Sequence, residues 1–253
     1  MIYRKTEEQV KIMREGGAIL ARIRDDLARA VKVGLSLKEL DELAYRLIQE
    51  AGAEPAFLGY RPPWAEKAYP ASICSSVNEV VVHCIPNERQ LREGDVLAID
   101  VAIKYKGWHT DTAITVGVGR VSDLANKLIK VTKECLDLAI LECRFGKTLG
   151  DVGFVIERHA KKNGFMPVKG LTGHGIGREL HEEPTVYNEG RRGRGLMIEE
   201  GMVLAIEPML SVGGAEVMEL PDESFATKDG SISAHFEHTV AITHIGPAVL
   251  TYE

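Results

Sequence analysis

The sequence lacks the long apolar segments of a membrane protein. Its apolar runs, such as residues 202–206, are far shorter than the roughly 20 residues that cross a bilayer. The N-terminal stretch MIYRKTEEQ is charged and has no apolar core of the kind found in secretory signals. We therefore expect a soluble protein that stays in the cytoplasm and has no membrane partner.

Cysteine is scarce, and its four positions form neither a metal motif nor a redox motif. Cys74, Cys84, Cys135 and Cys143 contain no CxxC pair, which argues against a structural zinc cage and against a thioredoxin-like pair. Disulfides are not expected in a cytoplasmic protein. We interpret the four cysteines as buried free thiols.

An excess of basic residues is also absent. The chain has 31 lysines and arginines against 37 aspartates and glutamates, and its net charge of −6 argues against a specific nucleic-acid partner. The basic cluster of Arg191, Arg192 and Arg194 is interpreted as a solvated loop, with contact to the ribosome as the alternative. With 253 residues, 45% of them hydrophobic, the chain can form one large domain or two small ones.

What the sequence does contain is a pattern of helices and strands that occurs twice. A capping box at Thr6 and Gln9 starts one helix, and another at Ser36 starts the next. Four prolines interrupt 53–70, which is predicted as a loop. The predicted helices span 6–32, 37–51, 122–143 and 148–163, and the predicted strands span 71–84, 95–104, 108–118, 171–176, 202–211 and 234–244.

The repetition is visible in individual residues. Residues 96–100 read VLAID and residues 203–207 read VLAIE, so four identical apolar residues end in a carboxylate both times. A weaker match pairs HTD at 109–111 with HFE at 235–237. Such a duplication predicts two similar halves that pack around a pseudo-twofold axis.

The two halves are predicted to form one domain. No linker is apparent near 119–121, and each half alone would leave one apolar face of its sheet uncovered. We therefore predict a single catalytic domain, 1–253, with halves at about 1–118 and 119–253. The order of the elements predicts an α+β fold in which helices cover one face of a largely antiparallel sheet.

Each of the repeated segments ends in an acidic residue. Asp100 and Glu207 occupy equivalent positions, as do Asp111 and Glu237, so a pseudo-twofold fold brings four acids together. An unpaired buried carboxylate is strongly disfavoured, and the runs VLAID, VLAIE, HTD and HFE contain no lysine or arginine. A pair of divalent metal ions would supply the missing positive charge.

Imidazole is a common further ligand, and the segment GHGIGRELHEEP at 173–184 offers His174 and His181. Its glycines permit close approach of the backbone to a site. The HEEP sequence lacks the second histidine of an HExxH motif, which excludes a zincin. His174 and His181 are therefore candidates for the same centre as the four acids.

At these residues the chain resembles the type I methionine aminopeptidases, and the resemblance extends over essentially its whole length. Its implied fold is the pita-bread fold, a curved antiparallel sheet with helices on the convex side and a dinuclear metal site on the concave side. The matching segments are ICSSVNEVVVHCIP at 73–86, VLAIDVAI at 96–103, GWHTDTA at 107–113, GHGIGRELHEEP at 173–184, IEPML at 206–210 and SAHFEHT at 233–239.

The resemblance implies removal of the initiator methionine when the second residue is small, with two divalent metal ions activating a water molecule. Nascent polypeptide N-termini would be the partners of a monomeric enzyme. Glu207 would pass a proton from the water to the leaving amine, and Asp111 and Glu237 would bridge the metals. The implied metal ligands are Asp100, Asp111, His174, Glu207 and Glu237.

The resemblance also implies residues that bind the substrate. His83 would contact the peptide beyond the scissile bond, and His181 would donate a hydrogen bond to the substrate carbonyl. Tyr60, Tyr69 and Cys74 would form the methionine pocket.

Several positions depart from the family pattern. Eight residues, RPPWAEKA, separate Tyr60 from Tyr69 where two are usual, and this insertion is expected to form a lid or rim of the methionine pocket. Trp64 is expected to pack over the pocket mouth or against the neighbouring loop, and a flexible surface hairpin is the alternative. Further departures are Cys84 for glycine, Leu180 for phenylalanine, Glu223 near a usual tryptophan, His235 for glutamine and Thr110 for glycine.

Two other kinds of protein share parts of this pattern. Aminopeptidase P and prolidase share the five ligands but usually carry an additional N-terminal domain, for which this chain has no room. A non-enzymatic relative that binds ribosomes or RNA would be basic and would lack ligands. The absence of an insertion of about 60 residues in the second half indicates type I. The donors leave manganese, iron, cobalt and zinc open.

Overall fold

The computed structural model describes residues 2–62 and 65–252. Within these residues it contains four helices and fifteen strands. The helices are α1 Glu7–Ala30, α2 Leu37–Glu50, α3 Asp123–Glu142 and α4 Leu149–Lys162. The strands are β1 Glu54–Pro55, β2 Ile73–Val77, β3 Val80–Val82, β4 Val96–Tyr105, β5 Trp108–Gly117, β6 Met166–Pro167, β7 Thr172–Gly175, β8 Glu182–Tyr187, β9 Val203–Ile206, β10 Met209–Ser211, β11 Val217–Glu219, β12 Phe225–Thr227, β13 Ser233–His235, β14 Glu237–Thr243 and β15 Gly246–Val249.

Local capping determines where the first two helices begin. The Thr6 hydroxyl accepts from the Gln9 amide, and the Gln9 side chain accepts from the Thr6 amide, so both groups of the capping box are paired. Ser36 caps α2 in the same way. A Cβ at Gly17 would collide with the backbone carbonyl of Leu250, which explains why α1 needs glycine where it crosses the C-terminal segment.

The main sheet joins both halves of the chain. Its strand order is β1-β4-β5-β14-β9-β7-β8, with β2 added on β4 and β15 on β14, and every pairing is antiparallel. The pairing of β5 with β14 connects the first half to the second. The prediction of a largely antiparallel sheet is confirmed.

The helices of both halves cover the same face of this sheet. Side chains alternate along a strand, and directly opposed residues share a face. Ile99 of β4 packs in a core with α1 and α2, whereas Ile206 and Val240 pack in a second core with α3 and α4. Ile114 of β5 contacts both cores. The α+β arrangement, with the helices on one face of the sheet, agrees with the prediction. The opposite face is not covered by these helices.

Several predicted strands are interrupted, and the predictions of continuous strands were wrong there. The strand predicted at 71–84 breaks at Asn78, whose φ of 59° lies in the left-handed region. The strand predicted at 202–211 breaks at Glu207 and Pro208, because proline has no amide hydrogen for the ladder. The strand predicted at 234–244 breaks at Phe236. The sequence did not predict β1, which lies in the predicted loop 53–70, nor β6, β8, β11, β12 and β15.

All four cysteines are buried free thiols, as predicted. Across 2–62 and 65–252, no helix combines the length and the apolar character needed to span a membrane.

Candidate metal centre

Strand register places the predicted acids on the face opposite the helices. Asp100 of β4 is opposite Ala113 of β5, and Ala113 is opposite Glu237 of β14. Asp111 precedes Ala113 by two residues and therefore points to the same side. Three carboxylates from three adjacent strands thus converge on one face of the sheet.

The second half adds an imidazole and a fourth carboxylate to this face. His174 of β7 is opposite Ala205 of β9, and Glu207 follows Ala205 by two residues. Single ligand atoms of Asp111, His174 and Glu237 lie within 4.8 Å of one another. The structure therefore brings all five predicted ligands to one side of the sheet, and three of them have the spacing of a metal site.

Burial makes these carboxylates poor isolated anions. It raises the pKa of Asp100 to about 6 and that of Glu207 to about 7. The pKa of Asp111 and that of Glu237 lie well above the ordinary range, first because of burial and then because of neighbouring carboxylates. Asp100 Oδ1 and Glu237 Oε1 are buried and have no hydrogen-bond partner among the described residues. Such a cluster needs cations to ionise at neutral pH.

The tautomer of His174 strengthens this conclusion. Its Nδ1 lies 2.8 Å from the Gly175 carbonyl oxygen, which can only accept, so Nδ1 carries the ring proton. Its Nε2 therefore presents a lone pair to Glu207 Oε1 at 3.6 Å. The imidazole nitrogen and the carboxylate oxygen both offer lone pairs, and at this distance both could bind the same cation. The residues present thus fit a divalent metal centre.

His181 and Tyr60 stand beside this cluster. The rings of His174 and His181 meet edge to face with centroids 4.4 Å apart, and Tyr60 Oη lies 2.7 Å from His181 Nδ1. Burial, reinforced by the neighbouring His174, lowers the pKa of His181 to about 2. The imidazole of His181 is therefore neutral at physiological pH.

The other predicted substrate residues lie at the edge of the cluster. Cys74 of β2 is opposite Asp100, so its thiol points to the same face. The Tyr69 hydroxyl lies 3.0 Å from the carbonyl oxygen of Ile73 and 2.8 Å from that of Cys84, where it can donate. His83 has an exposed side chain and a left-handed φ of 62°. The roles of these residues toward a substrate stay predictions.

Backbone hydrogen bonds join the two tyrosines that flank the insertion. The Tyr69 amide donates to the Tyr60 carbonyl at 2.8 Å, and the Gly59 amide donates to the Tyr69 carbonyl at 2.8 Å. Both tyrosines are thereby held side by side despite the added residues. The packing predicted for Trp64 lies outside the described residues, and a role of the insertion as a lid stays a prediction.

Sequence reasoning did not assign His235 to the site. This side chain is 2% exposed, and its Nε2 lies 3.5 Å from Glu207 Oε2. Neither ring nitrogen has a hydrogen-bond partner within the part of the chain that the structure describes. Because His235 precedes Glu237 by two residues, alternation along an extended chain could have revealed it. Glu207 thus lies between two imidazoles, those of His174 and His235.

Fold and site together define a metal-dependent hydrolase. A model of metallopeptidase family M24 matches residues 11–244. The chain therefore belongs to metallopeptidase family M24. The carboxylates and the imidazole of the cluster are suitable ligands for divalent metal ions.

Similar proteins cover the whole chain. Methionine aminopeptidase 1 of Bacillus subtilis is 42% identical over 252 residues, which cover 99% of each chain. Methionine aminopeptidase of Aquifex aeolicus is 43% identical and covers 97% of each. The crystal structure of methionine aminopeptidase from Rickettsia prowazekii superposes with a TM-score of 0.95 at 37% identity and full coverage of both chains.

A more distant likeness concerns the fold alone. Prolidase from Pyrococcus furiosus has a TM-score of 0.79 at 20% identity, and the match covers 99% of this chain but only 65% of the prolidase. The pita-bread fold that the resemblance implied is thereby confirmed.

Proposed function

We propose that this chain removes the N-terminal methionine from nascent proteins and peptides whose second residue is small. The observation that carries the proposal is the convergence of four carboxylates and His174 on one face, beside His181 and Tyr60. Similarity to methionine aminopeptidases over the whole chain supports the substrate class.

We propose two divalent ions, of manganese, iron, cobalt or zinc, as the cofactors. Asp111, Glu237 and His174 would contribute to holding them, because single ligand atoms of these three residues lie within 4.8 Å of one another. When bound, the ions would lower the pKa of coordinated water and polarise the scissile carbonyl. The ligands would be Asp100, Asp111, His174, Glu207 and Glu237.

Glu207 is proposed to hold and move the proton of the reaction. In the protein without metal, burial raises the pKa of this carboxyl group to about 7, so the site strongly disfavours an anion that lacks a cationic partner. One oxygen faces His174 and the other faces His235, so the carboxylate is held between two rings. From this position Glu207 would take a proton from water and deliver it to the leaving amine.

His181 is proposed to donate to the substrate carbonyl, and Tyr60 would prepare it for that role. If the Tyr60 hydroxyl donates to Nδ1 at 2.7 Å, the ring proton of the neutral imidazole resides on Nε2. Nε2 is then the donor that stabilises negative charge on the carbonyl oxygen. His83 would contact the peptide beyond the scissile bond, and Tyr60, Tyr69 and Cys74 would surround the methionine side chain.

His181→Ala is expected to lower turnover by about 10² to 10³, the usual effect of losing one oxyanion donor. Tyr60→Phe, which keeps the ring but loses the hydroxyl, should cause a smaller loss. Steady-state kinetics of both variants with Met-Ala-Ser measure these effects. Full turnover by His181→Ala would contradict the assigned role.

The remaining proposals concern partners and location. We propose a cytoplasmic monomer that acts on nascent polypeptide N-termini. Contact with the ribosome through Arg191, Arg192 and Arg194 is the open alternative to a solvated loop. Arg192 lies over the Phe154 ring at 4.8 Å and is thus partly engaged within the chain.

Cleavage of Met-Ala-Ser and of its N-acetylated form tests the function directly. The free peptide should lose methionine, and the acetylated peptide should not, because acetylation removes the free amine as a metal ligand. Chelation should abolish cleavage, and added divalent metal should restore it. Equal cleavage of both peptides, or a preference for peptides with proline in second place over Met-Ala-Ser, would refute the proposal.

A further inference from the structure

The N-terminal segment ahead of α1 reaches the loop that carries His181. The Lys5 amide donates to the Gly201 carbonyl at 2.7 Å, which fixes the backbone of this segment. The Lys5 side chain is only 2% exposed, and its Nζ lies 2.7 Å from Glu182 Oε2. Burial lowers the pKa of Lys5, whereas Glu182 opposes this change. A buried ammonium group of this kind depends on its carboxylate partner.

Glu182 uses its second oxygen to close the loop. Its Oε1 accepts from the backbone amides of Arg178 at 2.7 Å and of Glu179 at 3.1 Å. One carboxylate therefore ties the beginning of the loop to its end, and His181 is the residue immediately before it. Because the two residues are joined by one peptide bond, a displacement of Glu182 also displaces the backbone of His181.

A second contact of the N-terminal segment holds the same loop from the other side. The Arg178 guanidinium lies 4.1 Å from the Trp108 ring centroid and donates to the Gly107 carbonyl at 3.2 Å. The Trp108 ring stacks with Tyr3, with centroids 6.4 Å apart. A Cβ at Gly177 would lie 2.5 Å from Lys5 Cε, so the packing leaves no room for a side chain there.

We propose that Lys5 is a positioning residue for His181. Acting through Glu182, it sets the conformation of residues 178–182 and thereby the place of the imidazole beside the metal centre. The inference rests on the proposed function for its catalytic consequence. Its structural part, the coupling between Lys5 and the His181 ring, is independent of that function.

Kinetics of Lys5→Met test the catalytic consequence. We expect kcat to fall at least about tenfold, and by no more than the roughly 10² to 10³ that complete loss of an oxyanion donor causes, while KM changes less. Lys5→Arg keeps the charge and should restore most of the turnover. Lys106→Met is the matched control, because Lys106 forms an exposed pair with Glu15 at 2.8 Å, and it should leave kcat unchanged.

A double-mutant cycle separates positioning from general destabilisation. If Lys5 acts through His181, adding Lys5→Met to His181→Ala should cause little further loss of kcat. An equal loss in both backgrounds would overturn the proposal, as would unchanged kcat in Lys5→Met. Should Lys5→Met fail to fold, the variant Lys5→Met with Glu182→Gln removes both charges together and carries the same test.

The His181 ring resonances provide a readout that does not depend on activity. In proton spectra assigned with His181→Ala, these resonances should shift in Lys5→Met and remain in place in Lys106→Met. The resonances of His159, which pairs with Glu134 on the helical side, should not move in either variant. Unshifted His181 resonances in folded Lys5→Met would overturn the coupling, whereas an inactive parent protein with shifted resonances would refute only the proposed function.

Discussion

Glu207→Gln is expected to reduce turnover by about 10² to 10⁴, the range that a positioned general acid–base group contributes. The amide retains the shape of the side chain but can neither carry the proton nor balance metal charge. The fold should survive, because glutamine places no unpaired charge in the site. Steady-state kinetics with Met-Ala-Ser, with metal content measured on the same sample, give the result.

The control for this variant is Glu199→Gln. Glu199 forms an exposed ion pair with Arg4 at 2.8 Å and is not one of the proposed ligands, so its loss should have little effect. It should retain the parent kcat. If Glu207→Gln binds metal normally and still turns over within a few-fold of the parent, Glu207 is not the proton carrier.

The metal-free protein is expected to lose stability as pH rises from about 6.5 to 8. A carboxyl group with a raised pKa in the fold keeps its proton at pH values where the unfolded chain has already released it. Its contribution to the free energy of unfolding is therefore full at low pH and is lost as pH rises through the folded pKa. Glu207 titrates at about 7, and Asp111 and Glu237 well above their ordinary range. Each carboxylate that stays protonated throughout lowers the free energy of unfolding by roughly 2 kcal/mol over this window.

Buried histidines have a small opposite effect in this pH window. Desolvation lowers the pKa of several histidines, to about 2 for His181, about 3 for His238 and about 4 for His83. Each stays neutral in the fold, so each opposes the trend by at most about 0.4 kcal/mol between pH 6.5 and 8. Urea denaturation of chelated protein at both pH values measures the slope. Asp111→Asn should flatten it.

Metal loading should reverse this behaviour. Metal donors bind in their deprotonated forms, so affinity and the stability derived from it increase with pH. Stability of the chelated protein that is constant or rises between pH 6.5 and 8 would contradict the assignment of protonated carboxylates to this cluster.

Local information accounts for much of what could be predicted. The capping boxes at Thr6 and Ser36 lie within four consecutive residues each, and the structure contains both. The repeat VLAID and VLAIE placed two acids at equivalent positions, and strand register carries them to one face. The interruptions at Asn78 and Phe236 escaped prediction because apolar runs alone do not report where a strand changes partner.

The starts of the first two helices and the α+β fold could be predicted from the sequence, since the capping boxes and the order of the elements are local features. The repeat also predicted that the four acids share a site, and their role as metal ligands stays a prediction. Only the tertiary structure decided that His235 faces Glu207 and that Lys5 reaches Glu182, 177 positions away. The physical reason is that such contacts depend on strand register and on how the N-terminal segment packs. Desolvation then turns these placements into chemistry, since the same carboxylates would be ordinary anions in water.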